Sequence, residues 1–107
     1  MPGSAFKPIL YAHAIERGFP QTLKLLDAPV VFKGGKGSQD WTPENFSGKY
    51  KGEITLRRAL AISENIPAVR LMEKLGPSSV ANFGYAMGIN SILHPNLSLA
   101  LGTSEMS

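Results

Sequence analysis

Several residue types that would quickly define a function are missing from this 107-residue chain. It contains no cysteine, which excludes a disulfide framework and any metal site built on thiolates. Its apolar runs are far shorter than the ~18 residues that a membrane-spanning helix requires. His13 and His94 are too far apart to suggest a pair of metal ligands, and we interpret His13 as a packed or surface residue. We therefore expect neither a metal nor a cofactor.

Charge is also sparse, since 18% of the residues are charged and the net charge is only +3. A nucleic-acid-binding protein would show a denser basic stripe or a recognisable module, so we expect no nucleic-acid partner. The chain opens on Met1-Pro2-Gly3, without the charged and apolar segments of a signal peptide. If the protein works outside the cytoplasm, we expect its targeting segment to lie outside this sequence.

The spacing of apolar residues predicts four short helices and hardly any strand, and hence a mainly α fold. Thr55 is the predicted N-cap of the second helix, and Pro67 the first residue of the third. Val30-Val31-Phe32 is a candidate short strand, and the tail after Ile89 is predicted to be a turn followed by an extended or irregular segment. The four predicted helices run from about Ser4 to Arg17, Leu56 to Ile62, Pro67 to Leu75 and about Ser78 to Met87.

A long region between the first two predicted helices is interrupted too often by glycine and proline to form a helix. Within it, residues 39–46 mix aromatic and polar side chains, as a binding surface does. The simpler interpretation is that Trp41 and Phe46 pin a long loop to the body of the protein, and we favour it.

Ser4-Ala5-Phe6-Lys7 is the pattern that points most directly to chemistry. It places a hydroxyl and an amine three residues apart on one face at the start of a predicted helix. A serine becomes a useful nucleophile when a base lies within hydrogen-bond reach, and a lysine kept neutral by its surroundings can be that base. Ser-x-x-Lys occurs in β-lactamases and penicillin-binding proteins together with Ser-x-Asn and Lys-Thr-Gly. Ser63-Glu64-Asn65 supplies the second element, and the third is missing.

With their flanks, these motifs resemble the transpeptidase domain of penicillin-binding proteins, most closely the class A, bifunctional kind. The two motifs coincide with matching flanks in the expected order, which makes the resemblance specific. It implies that residues 1–107 are a partial transpeptidase domain: the helical subdomain of the penicillin-binding and serine β-lactamase-like fold, lacking most of the central β-sheet. The matching segments are residues 2–8, 42–52, 55–69 and 98–105.

The resemblance also implies a role for each motif residue. Ser4 would be the nucleophile that is acylated, and Lys7 the base that activates it. Ser63 would relay a proton between Lys7 and the departing amine, while Asn65 would donate its amide to the substrate and hold Lys7 in place. We expect Glu64 to face away, because adjacent residues do not share a face of a helix or turn.

By the same resemblance, the partners are peptidoglycan stem peptides and β-lactam antibiotics. The parent protein is expected to be anchored at the periplasmic or extracytoplasmic face of the bacterial inner membrane, and a glycosyltransferase domain is suggested upstream. Without Lys-Thr-Gly, we expect the chain alone to be inactive and Lys7 to be more fully protonated than in a complete site. Apolar faces that a sheet would cover predict self-association.

Two alternatives remain open from the sequence. A serine β-lactamase relative would need a base for a deacylating water, and no obvious Glu motif supplies one. A non-catalytic binding or scaffold domain could keep the fold without turnover. The presence of all four motif residues argues against the scaffold, but only the Lys-Thr-Gly element could decide between these interpretations.

Overall fold

A computed structural model of the chain describes residues 6–33, 39–89, 93 and 96–101. It confirms the predicted mainly α fold, with four helices and a two-stranded sheet in the described part. None of the helices in these ranges has the length and apolar character that crossing a bilayer requires. In chain order the elements are α1 (Phe6–Glu16), β1 (Lys24–Asp27), β2 (Gly52–Thr55), α2 (Leu56–Ile62), α3 (Asn65–Leu75), α4 (Pro77–Ala86) and a 3-10 helix (Leu97–Leu101).

Helix α3 lies at the centre of the core. It packs against α1, α4, β1 and the 3-10 helix, and a helix that is apolar over most of its circumference is normally buried in this way. The side chains Phe6 and Leu10 of α1 and Val80 of α4 complete the core around it. Because α1 carries Lys7 and α3 begins at Asn65, this packing brings the two motifs towards each other. The buried residues of α3 are Ile66, Pro67, Ala68, Val69, Leu71, Met72 and Leu75.

His13 is a packed residue, which is one of the two possibilities, packed or surface, that the sequence left open. It is buried between α1 and α4, where its ring stacks on Phe83 with 4.5 Å between centroids. Its Nε2 atom lies 2.8 Å from the hydroxyl oxygen of Ser79. His94 lies outside the described residues, and so does Ser4, the predicted start of the first helix.

The sheet was not predicted at its observed position. Strands β1 and β2 pair antiparallel, with Leu25 opposite Ile54 and Asp27 opposite Gly52. The strand predicted at Val30-Val31-Phe32 is wrong, because only Phe32 pairs, in an isolated bridge with Trp41. Each strand has four residues, which is too short for alternation of apolar and polar residues to be distinctive.

The four helices end within one residue of their predicted C-termini, and two N-termini differ from the prediction. Helix α2 has the predicted bounds, but α3 begins at Asn65 rather than Pro67 and α4 at Pro77 rather than at Ser78 or Ser79. Pro67 is tolerated inside the first turn because a backbone N–H there has no intrahelical acceptor. The tail prediction is also incorrect where the 3-10 helix forms.

Large apolar side chains remain exposed on several parts of the described surface. Ile15, Leu60 and Met87 are examples, and each is about half exposed or more. Scattered exposed apolar residues are normal in folded proteins. The self-association expected from the sequence therefore stays a prediction, which sedimentation can check.

We predict that Thr55→Ala lowers the free energy of unfolding of the chain by about 1 kcal/mol. The Thr55 hydroxyl accepts a hydrogen bond from the Arg58 N–H at 3.1 Å, and alanine leaves that donor without its cap. Urea unfolding measures the change. Thr55→Ser keeps the acceptor and Thr42→Ala alters an exposed loop, so both should stay near the wild-type value; an equal loss in Thr55→Ser would contradict the capping role.

Candidate active site

The structure brings three of the four predicted site residues into direct contact. Lys7 Nζ donates to the main-chain carbonyl of Ser63 at 2.7 Å and to Oδ1 of Asn65 at 2.9 Å. Ser4, the fourth, lies outside the described residues. The packing of α1 against α3 thus joins the Ser-x-x-Lys and Ser-x-Asn elements through the lysine.

The backbone of Ser63 has a conformation that is unusual for a residue with a side chain. Its φ of 52° and ψ of 38° are left-handed, and it is the one non-glycine residue with positive φ in the described part of the chain. This conformation costs about 1–2 kcal/mol. It ends α2, with the Ser63 N–H donating to the Ala59 carbonyl at 2.9 Å. The contact with Lys7 is made by the Ser63 carbonyl, whereas the predicted role concerned the hydroxyl.

Asn65 is the first residue of α3 and is held on both sides of its amide. Oδ1 accepts from Lys7, and Nδ2 donates to the Glu44 carbonyl at 2.8 Å. A side-chain amide carries two N–H groups. One of them is used by Glu44, so the other can donate to a ligand while the oxygen still holds Lys7.

The expectation that Glu64 faces away from the site is wrong. Its side chain is buried, and Oε1 accepts from the Ser47 N–H at 3.3 Å while Oε2 lies 4.0 Å from Lys51 Nζ. Hydrogen bonds from Ser47 hold the pKa of Glu64 below its ordinary value. The helix rule that separates adjacent side chains does not apply here, because Ser63 is left-handed and Glu64 is extended.

Burial and a neighbouring charge act in opposite directions on Lys7. Desolvation lowers the pKa of Lys7, and the negative charge of Glu64 partly raises it again. Burial disfavours the charged ammonium, whereas a nearby carboxylate favours it. The net lowering is the direction that a base requires. Burial is its cause, and the expectation that Lys7 is more fully protonated here than in a complete site stays a prediction.

A cavity of about 490 Å³ opens beside Lys7. Phe46 stands at this cavity with 95% of its surface exposed, so the interpretation that it pins the loop is wrong. Trp41 does pack on the body of the protein, beside Phe32 with 5.9 Å between ring centroids. The cavity is lined by Lys7, Phe46, Ser47, Ile62, Ser63, Glu64, Asn65 and Leu101.

Sequence reasoning missed two residues that support the site, Asp27 and Asn45. Both are buried, and Asn45 Nδ2 donates to Asp27 Oδ1 at 2.6 Å. Neither belongs to a catalytic motif. The one feature of the sequence that could have indicated Asn45 was its position within the segment 42–52, which carries the family resemblance.

Within the described ranges, no cluster of three or more His, Asp or Glu side chains is arranged to hold a metal ion.

Comparison with known proteins agrees with the family resemblance that the sequence motifs indicate. The family described as "Penicillin binding protein transpeptidase domain" matches residues 1–97. Penicillin-binding protein 1A of Neisseria cinerea is 39% identical over 106 residues, which cover 97% of this chain and 13% of that protein. Penicillin-binding protein 1A of Aquifex aeolicus is also 39% identical over 106 residues, covering 99% of this chain and 14% of that protein. The chain therefore spans about one seventh of the length of these relatives.

The fold is similar to that of a relative whose crystal structure is known. Penicillin-binding protein 1A of Haemophilus influenzae superposes with a TM-score of 0.84 at 32% sequence identity. The superposition covers 92% of this chain and 15% of that one. The helices and the short sheet described above thus correspond to a small part of that longer chain.

We predict that Glu64→Gln lowers the pKa of Lys7 further. The carboxylate stabilises the protonated amine, so removing its charge favours the neutral form, while glutamine can still accept from Ser47. A ¹³C NMR titration of the Lys7 side chain, assigned with Lys7→Arg, measures the change. Glu73→Gln on the exposed face of α3 is the matched control and should leave the Lys7 pKa unchanged. A rise in Glu64→Gln would contradict this electrostatic account.

Proposed function

Since this chain belongs to the family of penicillin-binding protein transpeptidase domains, we propose that it carries the acylation residues of a serine D,D-transpeptidase that cross-links peptidoglycan. It is homologous to part of the transpeptidase domain of penicillin-binding protein 1A. The observation that carries the proposal is the pair of hydrogen bonds from Lys7 to Ser63 and Asn65.

Those two hydrogen bonds suit a lysine that acts as a base. A neutral amine has two N–H groups and one lone pair. When Lys7 donates one N–H to the Ser63 carbonyl and the other to Asn65 Oδ1, its lone pair remains free to take a proton. Ser4 lies three residues before Lys7 in the sequence, and a serine needs such a base to become nucleophilic.

The proposed reaction has two acyl transfers. In the first, Ser4 Oγ bonds to the carbonyl carbon of the penultimate D-Ala of a stem peptide. The Oγ proton passes to Lys7 Nζ, the peptide C–N bond breaks, and the terminal D-Ala leaves with that proton on its amine. In the second, an amine of a neighbouring stem attacks the ester carbonyl, the bond to Ser4 Oγ breaks, and the proton released by the amine returns to Oγ.

The remaining site residues have supporting roles in this proposal. Asn65 holds Lys7 through its oxygen and donates to the backbone of the acyl donor through its free N–H. The Ser63 hydroxyl relays a proton between Lys7 and the departing amine. The Ser4 N–H supplies one oxyanion donor. β-Lactams acylate the same Ser4 oxygen.

The chain alone is not expected to turn over substrate. It contains no Lys-Thr-Gly sequence, and the family resemblance implies that the second oxyanion donor belongs to the strand with that motif. One lost oxyanion donor typically costs ~2.7–4 kcal/mol of transition-state stabilisation. The complete reaction is therefore proposed for a longer protein at the extracytoplasmic face of a bacterial membrane. A β-lactamase would release the acyl group to water, and a scaffold would never form an acyl-enzyme. One labelling experiment therefore separates the transpeptidase, the β-lactamase and the scaffold.

We predict that Ser4→Ala abolishes covalent labelling by fluorescent penicillin. The test protein is Aquifex aeolicus penicillin-binding protein 1A in which residues 1–107 replace the homologous segment, and intact mass identifies the adduct. Lys7→Ala should slow acylation about 10²–10⁴-fold, the usual contribution of a general base. The wild-type rate should rise with pH through the Lys7 pKa, because only the neutral amine accepts a proton.

The unaltered Aquifex protein is the control for folding and labelling of the host. Asn82→Ala, on the exposed face of α4, should label like the wild-type hybrid. A stable adduct in the hybrid that disappears in Ser4→Ala supports the transpeptidase. Rapid loss of the adduct would favour the β-lactamase, and a folded hybrid without any adduct would favour the scaffold.

A further inference from the structure

Two buried polar side chains outside the proposed acylation residues join three parts of the chain. Asp27, the last residue of β1, is 0% exposed, and Asn45 is 5% exposed. Burying a polar group is costly unless its donors and acceptors are paired. The hydrogen bonds of this pair therefore define which parts of the fold must stay together.

The Asn45 side chain is engaged at both ends of its amide. Nδ2 donates to Asp27 Oδ1 at 2.6 Å and to the Lys49 carbonyl at 2.8 Å, while Oδ1 accepts from the Ile66 N–H at 2.8 Å. The reversed amide would place its oxygen against two acceptors, so the surroundings determine the orientation. Asp27 Oδ2 accepts from the Lys51 N–H at 3.0 Å. One carboxylate and one amide thus join β1, the following loop and α3.

The bond to Ile66 caps α3 from outside the helix. The first N–H groups of a helix have no intrahelical acceptor, and Glu64 at the N-cap position makes no capping hydrogen bond with its side chain. Pro67 has no N–H to satisfy. Asn45 supplies the acceptor that the local sequence lacks, which explains why α3 begins before Pro67.

Residues on either side of Asn45 tie down the neighbours of Ile66. Asn65 Nδ2 donates to the Glu44 carbonyl at 2.8 Å, and the Ser47 N–H donates to Glu64 Oε1 at 3.3 Å. Residues 64, 65 and 66 are therefore each bonded to the segment 44–47. Because Asn65 also accepts from Lys7, the position of this segment determines where Lys7 and Asn65 meet.

We propose that Asn45, held by Asp27, is a positioning residue for the proposed acylation site. It acts by fixing the first turn of α3, and through it the contact between Asn65 and Lys7. Its catalytic consequence rests on the proposed function, whereas its effect on the Lys7 contact does not. A misplacement of about 1 Å at a site can cost about 10²-fold in rate, and a shift of the first turn of α3 is of this kind.

Exchanging the two residues provides a matched test. Asn45→Asp places a carboxylate oxygen against the Asp27 carboxylate. Asp27→Asn can still accept from Asn45 through its oxygen, but its own N–H groups then face the Lys51 N–H. The double variant Asp27→Asn/Asn45→Asp reverses donor and acceptor. Residue 27 then donates to residue 45, and acceptors for the Ile66 and Lys51 N–H groups remain. The bond to the Lys49 carbonyl is lost and two oxygens face each other there, so we expect the double variant to restore the arrangement in part.

The first measurement uses the chain itself and needs no catalysis. In each single variant we expect the Lys7 pKa, measured by ¹³C NMR, to rise towards its ordinary value as the contact with Asn65 loosens and water enters. In the double variant we expect it to return part of the way to the wild-type value. Asn82→Ala, an exposed asparagine on α4, is the control and should change nothing.

The second measurement is acylation of the Aquifex hybrid by fluorescent penicillin. Each single variant should reduce the limiting acylation rate about 10–100-fold with little change in the concentration for half-maximal rate, and the double variant should restore part of the loss. A merely structural role would lower the folded fraction and leave the rate and the Lys7 pKa of the folded molecules unchanged.

The two measurements separate the two proposals. If the wild-type hybrid does not label but the Lys7 pKa follows the exchange, the proposed function fails and the positioning of Lys7 by Asn45 stands. Folded single variants with an unchanged Lys7 pKa would overturn the positioning role whatever the labelling shows. If the single variants do not fold, a folded double variant decides: a Lys7 pKa that stays below the ordinary lysine value supports the proposal, and one at the ordinary value refutes it.

Discussion

The buried hydrogen bond between Asn45 and Asp27 is the constraint on which the candidate site depends. It lies where the end of β1, the loop after it and the first turn of α3 meet. In the low dielectric of the interior such a bond is strong, and an unpaired carboxylate there would be costly. The loop around Asn45 has little regular structure, yet these bonds give it a defined position beside Lys7.

The chemistry of Lys7 results from a balance between burial and charge. Burial lowers its pKa, and Glu64 limits that effect. Glu64 is itself held by Ser47 and lies near Lys51, so the balance is set by the same segment that Asn45 anchors. The left-handed Ser63 adds backbone strain at this point. Strain of this kind persists where the surrounding structure over-determines it, and it concentrates at functional sites.

Local patterns predicted the helices well where the capping signal was local. Thr55 caps α2 through its own hydroxyl, and the bounds of α2 were predicted correctly. The predicted start of α3 was wrong because its capping acceptor is Asn45, which lies 21 residues before Ile66 in the chain. Both strands were missed because each is short and gains its stability from a distant partner. Phe46 was expected to pin its loop to the body of the protein because it is aromatic, but burial depends on neighbours that the sequence does not name.

The sequence by itself determined that the chain is mainly helical and that Ser4, Lys7, Ser63 and Asn65 are its candidate site residues. Helix periodicity, capping and motif spacing are local properties, so they can be read along the chain. Only the tertiary structure decided which atoms meet. The Lys7 amine contacts a carbonyl 56 residues away, Glu64 is buried near it, and Asn45 holds the first turn of α3. These contacts exist because the core packs α1 against α3, and no local pattern specifies that packing.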